Sequence, residues 1–244
     1  MWIIAIFWLV FLPALWTAER RSRVFQRPFS EWCLDCAGLL IQGGLVPFIQ
    51  TVALAFALKY FFPAGAQALK LGAIWAFLLG FLVVDYLYYW NHRLLHRASL
   101  WWLHQVHHSA RQLDVFVTSR NTIWTSFLIL YWFVHGLFLY LLENPAPYLL
   151  AMSLTVALDM WRHQGVQGVL SPRALSYISR VFITPVDHAW HHSTRAQSVN
   201  YGANFSLWDR LHGTYALHER FPPRVGIPLK ITVWQQFVWP KERP

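Results

Sequence analysis

Apolar residues fall in five runs along the chain, at positions 2–17, 37–58, 71–90, 123–142 and 148–161. Each is near the length a helix needs to cross about 30 Å of hydrocarbon, the last being short. The pattern predicts an all-α integral-membrane bundle of about four to five crossings. Behind the first run stands Glu19-Arg20-Arg21-Ser22-Arg23, whereas a secretory signal would carry its positive charge in front and a small-residue cleavage site behind. That run therefore reads as a retained anchor with its N-terminus outside. Pro145 and Pro147 mark a tight turn between the fourth and fifth runs.

Charge orients the bundle. Five crossings that start outside place Lys59, Lys70 and Glu143 outside, and the segments holding the other eighteen of the twenty Lys and Arg residues in the cytoplasm. This is the asymmetry of positive-inside topology. With 56% hydrophobic, 18% aromatic and 13% charged residues, the composition is not that of an ordinary soluble domain. Fifteen tryptophans and ten tyrosines suit the water–bilayer boundary, or serve as plain core aromatics.

The net charge of +9 raises a nucleic-acid reading. The basic residues, however, are scattered near membrane ends and not gathered into a stripe with stacking aromatics, so no nucleic-acid partner is expected. Anionic headgroups explain the charge more simply, and an acidic electron-donor protein would be drawn to the same face. The two cysteines, Cys33 and Cys36, lack the second pair of a four-sulfur site and read as reduced thiols. No internal repeat, low-complexity tract or linker divides residues 1–244, which read as a single membrane domain.

Histidine supplies the chemistry. Nine of the twelve fall into His92-x3-His96, His104-x2-His107-His108, a lone His163 and His188-x2-His191-His192. Residues three and four apart on a helix share a face, so each cluster is expected to present its imidazoles as a group. A catalytic zinc takes three protein ligands and a structural one four, so eight or nine histidines suggest two ions with positions left open. In the predicted topology all nine lie on the cytoplasmic side. His135, His212 and His218 are read as ordinary polar residues. No box contains the glutamate of a His-Glu-x2-His peptidase, which points away from hydrolysis and toward redox chemistry. Asp85, Asp159, Asp187 and Asp209 lie close to the motifs, and some of them are expected to accept hydrogen bonds from ligand N–H groups and to offset the ions' charge.

Together these residues resemble the fatty acid hydroxylase superfamily, or sterol desaturase family, of integral-membrane di-iron enzymes. The resemblance spans residues 85–215. It is carried by Asp85-Tyr86-Leu87-Tyr88-Tyr89-Trp90-Asn91-His92, by the boxes, and by a closing Asn200-Tyr201-Gly202, Trp208-Asp209-Arg210-Leu211 and Gly213-Thr214-Tyr215. It implies a cytoplasmic histidine-rich helical cap holding two Fe ions with His92, His96, His104, His107, His108, His163, His188, His191 and His192. Zn is possible in purified material. Thr118-Ser119-Arg120-Asn121 and the surroundings of His163 are most similar to the alkylglycerol monooxygenase and sterol C5-desaturase branches. Where fatty acid 2-hydroxylases carry a histidine four residues before the one matching His163, this chain has Asp159. That residue is a ligand, an incidental polar group or, the reading ranked first, an acceptor fixing the His163 tautomer.

The activity so implied is O2-dependent oxidation of a C–H bond in a membrane lipid, such as a sterol or fatty acyl lipid, with hydroxylation favoured over desaturation. Cleavage of an ether lipid is the first alternative, because it shares the initial step. A membrane protein that binds or transports metal or haem is the alternative of another class. Transport would favour ionisable groups along the crossings, where only His135 stands. No Gly-rich dinucleotide fingerprint follows a strand, so electrons are expected from a separate cytochrome b5-like or ferredoxin-type protein. Arg120 or Trp102 is expected at the lipid headgroup. The membrane expected is a bacterial inner membrane or the endoplasmic reticulum.

Overall fold

Where no water reaches the backbone, helices satisfy its polar groups internally, and the described apolar runs are mostly helical. The computed structural model describes residues 26–164, 170–195 and 198–241, with Leu9, Leu12, Pro13 and Trp16. The anchor expected over residues 2–17 lies, apart from those four positions, outside the described residues. Among the described residues there is no β-strand, only isolated bridges.

Two helices are long and apolar enough to cross a membrane, α1 (Phe29–Phe61, 33 residues) and α2 (Ala73–Leu95, 23 residues). Both leave much of their apolar surface exposed, including Phe48, Phe56 and Phe61 on α1 and Ile74 and Trp75 on α2. An apolar surface of this extent suits lipid and not water. Each helix widens into π-helical hydrogen bonding, at Gly38–Leu45 in α1 and Leu79–Val83 in α2. In α1 the widening stops just before Pro47, which has no N–H to return to the preceding turn. Gly38 sits there against the Ser119 carbonyl, and a Cβ would overlap it.

Beyond α2 a single turn, α3 (Trp101–His104), leads to a connection that returns to the bundle through α4 (Leu130–Leu141) and α5 (Ala146–Arg162). α4 packs on α1 and α2, and α5 packs on α2. Their shared core is Ala76, Val84, Leu142 and Tyr148, ringed by Leu69, Leu79, Val134 and Phe138. The crossing expected over residues 123–142 is not one helix. It is a turn at Thr125–Leu128, an extended residue at Ile129 (ψ 94°), and then α4. Polar side chains make the break tolerable, with Asn91 Nδ2 donating to the Leu128 carbonyl at 3.3 Å and Thr125 Oγ1 to the Leu103 carbonyl at 2.6 Å. At 1.5 Å per residue α4 rises only about 18 Å and α5 about 26 Å.

The remaining chain folds as a cap over one end of the bundle, carrying α6 (Pro172–Ile178), α7 (Pro185–His191), α8 (Leu207–Leu211) and α9 (Val233–Val238). Its apolar centre is Ala110, Leu113, Val117 and Ala189, flanked by Phe221 and Val225. A buried ion network joins cap and bundle. Arg120 Nε donates to Asp35 Oδ1 at 2.5 Å and Arg120 Nη2 pairs with Glu31 at 3.3 Å, while Arg27 bridges Asp35 and Asp114. Arg120 is 1% exposed, so it is an internal cation and not the headgroup contact its sequence position suggested. Trp102 lies against Trp239, with Lys241 over its ring. At the opposite end of the bundle the exposed pair Lys70–Glu143 stands 3.8 Å apart.

Candidate metal centre

The site is built from helix ends. α2 delivers His92 in its last turn and His96 as its C-cap, and α5 ends at His163. α3 ends at His104, and a 3-10 turn follows at His107–Ser109. α7 carries His188 and His191, with His192 as its C-cap. Local sequence fixes where α7 starts: Thr184 caps it, Pro185 opens it, and Thr184 and Asp187 form a reciprocal capping box.

These elements gather all nine histidines into two adjoining groups. His92, His96, His104, His108 and His191 form one, and His107, His163, His188 and His192 the other, with the ligating nitrogens of each within 4.8 Å of one another. The partition differs from the expectation that each sequence cluster acts as a unit. His107 and His108 go to different groups, and so do His191 and His192. Consecutive residues at a helix end point about 100° apart, so a His-His pair divides naturally between two points. The groups meet where the rings of His108 and His192 stack, 4.4 Å between centroids. His135, His212 and His218 lie in neither group. They meet Tyr148 OH, the rings of Tyr86 and Tyr89, and the Trp190 ring respectively.

The donor atoms fit a metal better than they fit one another. His92 Nε2 is 3.0 Å from His104 Nε2, and His163 Nε2 is 3.0 Å from His188 Nε2 and 3.4 Å from His107 Nε2. His192 Nε2 lies 3.2 Å from His188 Nε2. Nitrogens held about 2.1 Å from one ion are roughly 3.0 to 3.4 Å apart when adjacent. Several of these rings spend the other nitrogen as a donor: His92 Nδ1 on the Tyr201 carbonyl at 2.7 Å, His191 Nδ1 on the Val199 carbonyl at 2.7 Å, and His163 Nδ1 on the Asp159 carbonyl at 2.8 Å. Each such bond sets the Nδ1–H tautomer and leaves Nε2 as a lone pair. Buried nitrogens with no hydrogen-bond partner remain on His104, His107, His108, His188, His191 and His192. Of these, His191 Nε2 and the His108 ring offer lone pairs that a metal would take up, whereas on His104, His107, His188 and His192 the orphan is Nδ1, opposite the Nε2 that faces the other rings.

Burial pushes the imidazoles of His104, His107, His108, His188 and His192 well below the ordinary histidine range, and neighbouring rings add to the shift. His191 is lowered to about 4, also by burial. The cap therefore holds neutral, ligation-competent rings at neutral pH.

The aspartates divide differently from the expectation. Asp85 spends its carboxylate on Asn204 N, Phe205 N and Trp208 Nε1, tying α2 to the cap. Asp187 accepts from Thr184 N and Oγ1 in the capping box, and burial raises it to about 6. Of the four aspartates close to the motifs, Asp159 has its carboxylate beside one of the nine histidines, 3.2 Å from His163 Nδ1, and it also pairs with Arg162. Backbone carbonyls take the Nδ1–H groups of His92, His163 and His191, which residue spacing cannot show. The closing motif around Asn200 and Tyr201 was the available clue.

Two groups of imidazoles at helix ends are a motif with relatives. The pattern of the family described as Fatty acid hydroxylase matches residues 77–214, more than half of the chain. The chain belongs to the fatty acid hydroxylase family. It is 36% identical over 163 residues to an ornithine lipid hydroxylase, OlsE, of Rhizobium tropici, covering 63% of this chain and 46% of that protein. It is 30% identical over 145 residues to an alkylglycerol monooxygenase of Danio rerio, covering 58% of this chain and 31% of that protein, and 29% identical over 147 residues to the human one, with the same shares. The chain thus spans less than half the length of these relatives. No solved structure matches it significantly.

Proposed function

We propose that this fatty acid hydroxylase family member is an integral-membrane, oxygen-dependent di-iron oxidoreductase that hydroxylates a C–H bond of a membrane lipid. The observation that carries the reading is the pair of adjoining imidazole groups, five and four strong, whose nitrogens face one another at ligand spacing. Two iron ions held there by the nine histidines would supply the activation of O2 that an unactivated C–H bond requires. Iron over zinc rests on the family and on the absence of a carboxylate base within the boxes.

The chain's own groups have definite tasks. Neutral, buried rings present lone pairs without first shedding protons. The carbonyls of Tyr201, Val199 and Asp159 hold three of them in one tautomer. Asp159 adds negative charge beside His163 and is in turn balanced by Arg162. The bundle brings the site to the end of apolar helices, so an acyl chain could enter sideways without crossing water. Basic residues on the cap side support a cytoplasmic placement by the positive-inside rule, in a multi-pass protein of a bacterial inner membrane or endoplasmic reticulum. An electron-donor protein of cytochrome b5 or ferredoxin type would dock there.

Ether cleavage is the second reading, favoured by the alkylglycerol monooxygenases among the relatives. Hydroxylation beside an ether oxygen gives a hemiacetal, which separates into an aldehyde and an alcohol. Membranes containing the chain, supplied with iron, a reducing donor system and 18O2, distinguish the two. A lipid that gains one labelled oxygen supports hydroxylation, and a labelled fatty aldehyde supports ether cleavage. No labelled lipid product across ester, ether and amide lipids, with both metals bound, would leave the metal-carrier alternative standing.

A further inference from the structure

The closing motif, whose Tyr201 carbonyl holds His92, is organised around one carboxylate. Asp209 is fully buried on α8, and its carboxylate is hydrogen-bonded to Tyr201, Gly202 and Thr214. Its Oδ1 accepts from Tyr201 N and Thr214 Oγ1, each at 2.7 Å, and its Oδ2 from Gly202 N at 2.7 Å. Its own carbonyl accepts from Thr214 N and Tyr215 N. Beside it Asn200 adopts a left-handed conformation, φ 55°. The Asn200 side chain accepts from Ala216 N at 2.9 Å and donates to the carbonyls of Asp187 and Ala216, at 3.1 Å each. A Cβ on Gly202 would overlap the Phe205 carbonyl and stand 2.9 Å from Asp209 Oδ2, so the close approach of backbone to carboxylate needs glycine.

The segment held in this way is the one whose carbonyls matter. Val199 and Tyr201, on either side of Asn200, accept the Nδ1–H of His191 and His92. Both rings belong to the five-histidine group, and they come from different helices, α7 and α2. Thr214 Oγ1 also reaches Tyr89 OH at 3.0 Å, three residues before His92 on α2. In the four-histidine group His163 leans instead on a carbonyl of its own helix.

We infer that Asp209 is a positioning residue for one metal of the pair: through two peptide N–H groups it fixes the 199–201 turn, and so the tautomer and aim of His92 and His191. This rests on the reading that the imidazoles bind metal. Loss of the clamp therefore weakens the ion of the five-histidine group and spares its neighbour, whereas a merely structural role would loosen both alike. Asp209→Asn is the sharpest probe, because an amide has one accepting oxygen where the carboxylate has two and must set an N–H against another N–H.

The test is titration of detergent-purified apoprotein with Co2+ against a competing chelator, with elemental analysis for stoichiometry and a thermal melt for the fold. Wild type is expected to bind two ions, and Asp209→Asn to bind one unchanged and the other about 10–100-fold more weakly. Thr214→Val, which removes a single hydroxyl from the same carboxylate, should weaken that ion by a smaller factor, and it decides the matter if Asp209→Asn does not fold. A wild type that binds fewer than two ions overturns the metal reading itself. A wild type with two ions, and variants that weaken neither or both equally, overturns the clamp alone.

Discussion

His107 and His108 are neighbours in sequence and yet fall in different imidazole groups, which makes them a stringent pair of probes. His107→Ala is expected to empty the four-histidine group and His108→Ala the five-histidine one, each reducing bound metal from about two to about one per chain. Elemental mass spectrometry on the purified variants reads this directly, and lipid oxidation should be lost in both. Release of both ions by either variant would mean a single shared centre. His218→Ala removes only a ring stacked on Trp190, 3.7 Å between centroids, and should keep both ions. At this scale, the gathering of the nine histidines was legible in the recurrence of the boxes. How they divide was not, since it depends on where each helix stops. The partners of the aspartates were equally hidden: Asp85 meets groups 119 to 123 residues away.

Among the elements, α7 has a start written in local sequence, as do α6 at Ser171-Pro172 and α9 at Thr232. Thr184-Pro185-Val186-Asp187 is a cap, an opening proline and a reciprocal carboxylate, and the helix it begins carries His188 and His191. Thr184→Ala should cost about 1 kcal/mol, seen as a modest drop in melting temperature followed by tryptophan fluorescence. The buried cation on the other side of the cap should matter more. Arg120→Ala strips Asp35 of one of its two guanidinium partners and leaves Glu31 without its pair to Arg120, with an expected loss of about 3 kcal/mol or more in the same assay. A smaller loss than for Thr184→Ala would show that water or side-chain movement relieves the unpaired carboxylates. Sequence reading put Arg120 or Trp102 at the lipid headgroup, because Asp35, the partner of Arg120, lies 85 positions upstream. For the same reason it merged residues 123–142 into one crossing. The side chain that eases the break at Ile129, Asn91, comes from another helix.

For the whole molecule the decisive property is which face of the bilayer the cap occupies. α1 leads away from the cap and α2 returns to it, since Asp35 joins the cap network near the start of α1 while His92 and His96 close α2. Lys59, Lys70 and Glu143 therefore belong to the far end, where Tyr140 OH donates to the Phe62 carbonyl at 2.9 Å. The basic residues of the cap should hold it on the cytoplasmic side, beside anionic headgroups and a soluble electron donor. Single cysteines report this in a Cys33→Ser, Cys36→Ser background. Lys70→Cys, at a position 77% exposed in its side chain, should react with a membrane-impermeant maleimide from outside intact cells. Arg173→Cys, at an exposed position on α6, should react only after the membrane is opened. The reverse pattern would put the histidines on the outer face, away from cytosolic reductant. Labelling of both from outside would mean that α1 and α2 do not cross the bilayer, and that the apolar surface of α1 is buried against another protein instead.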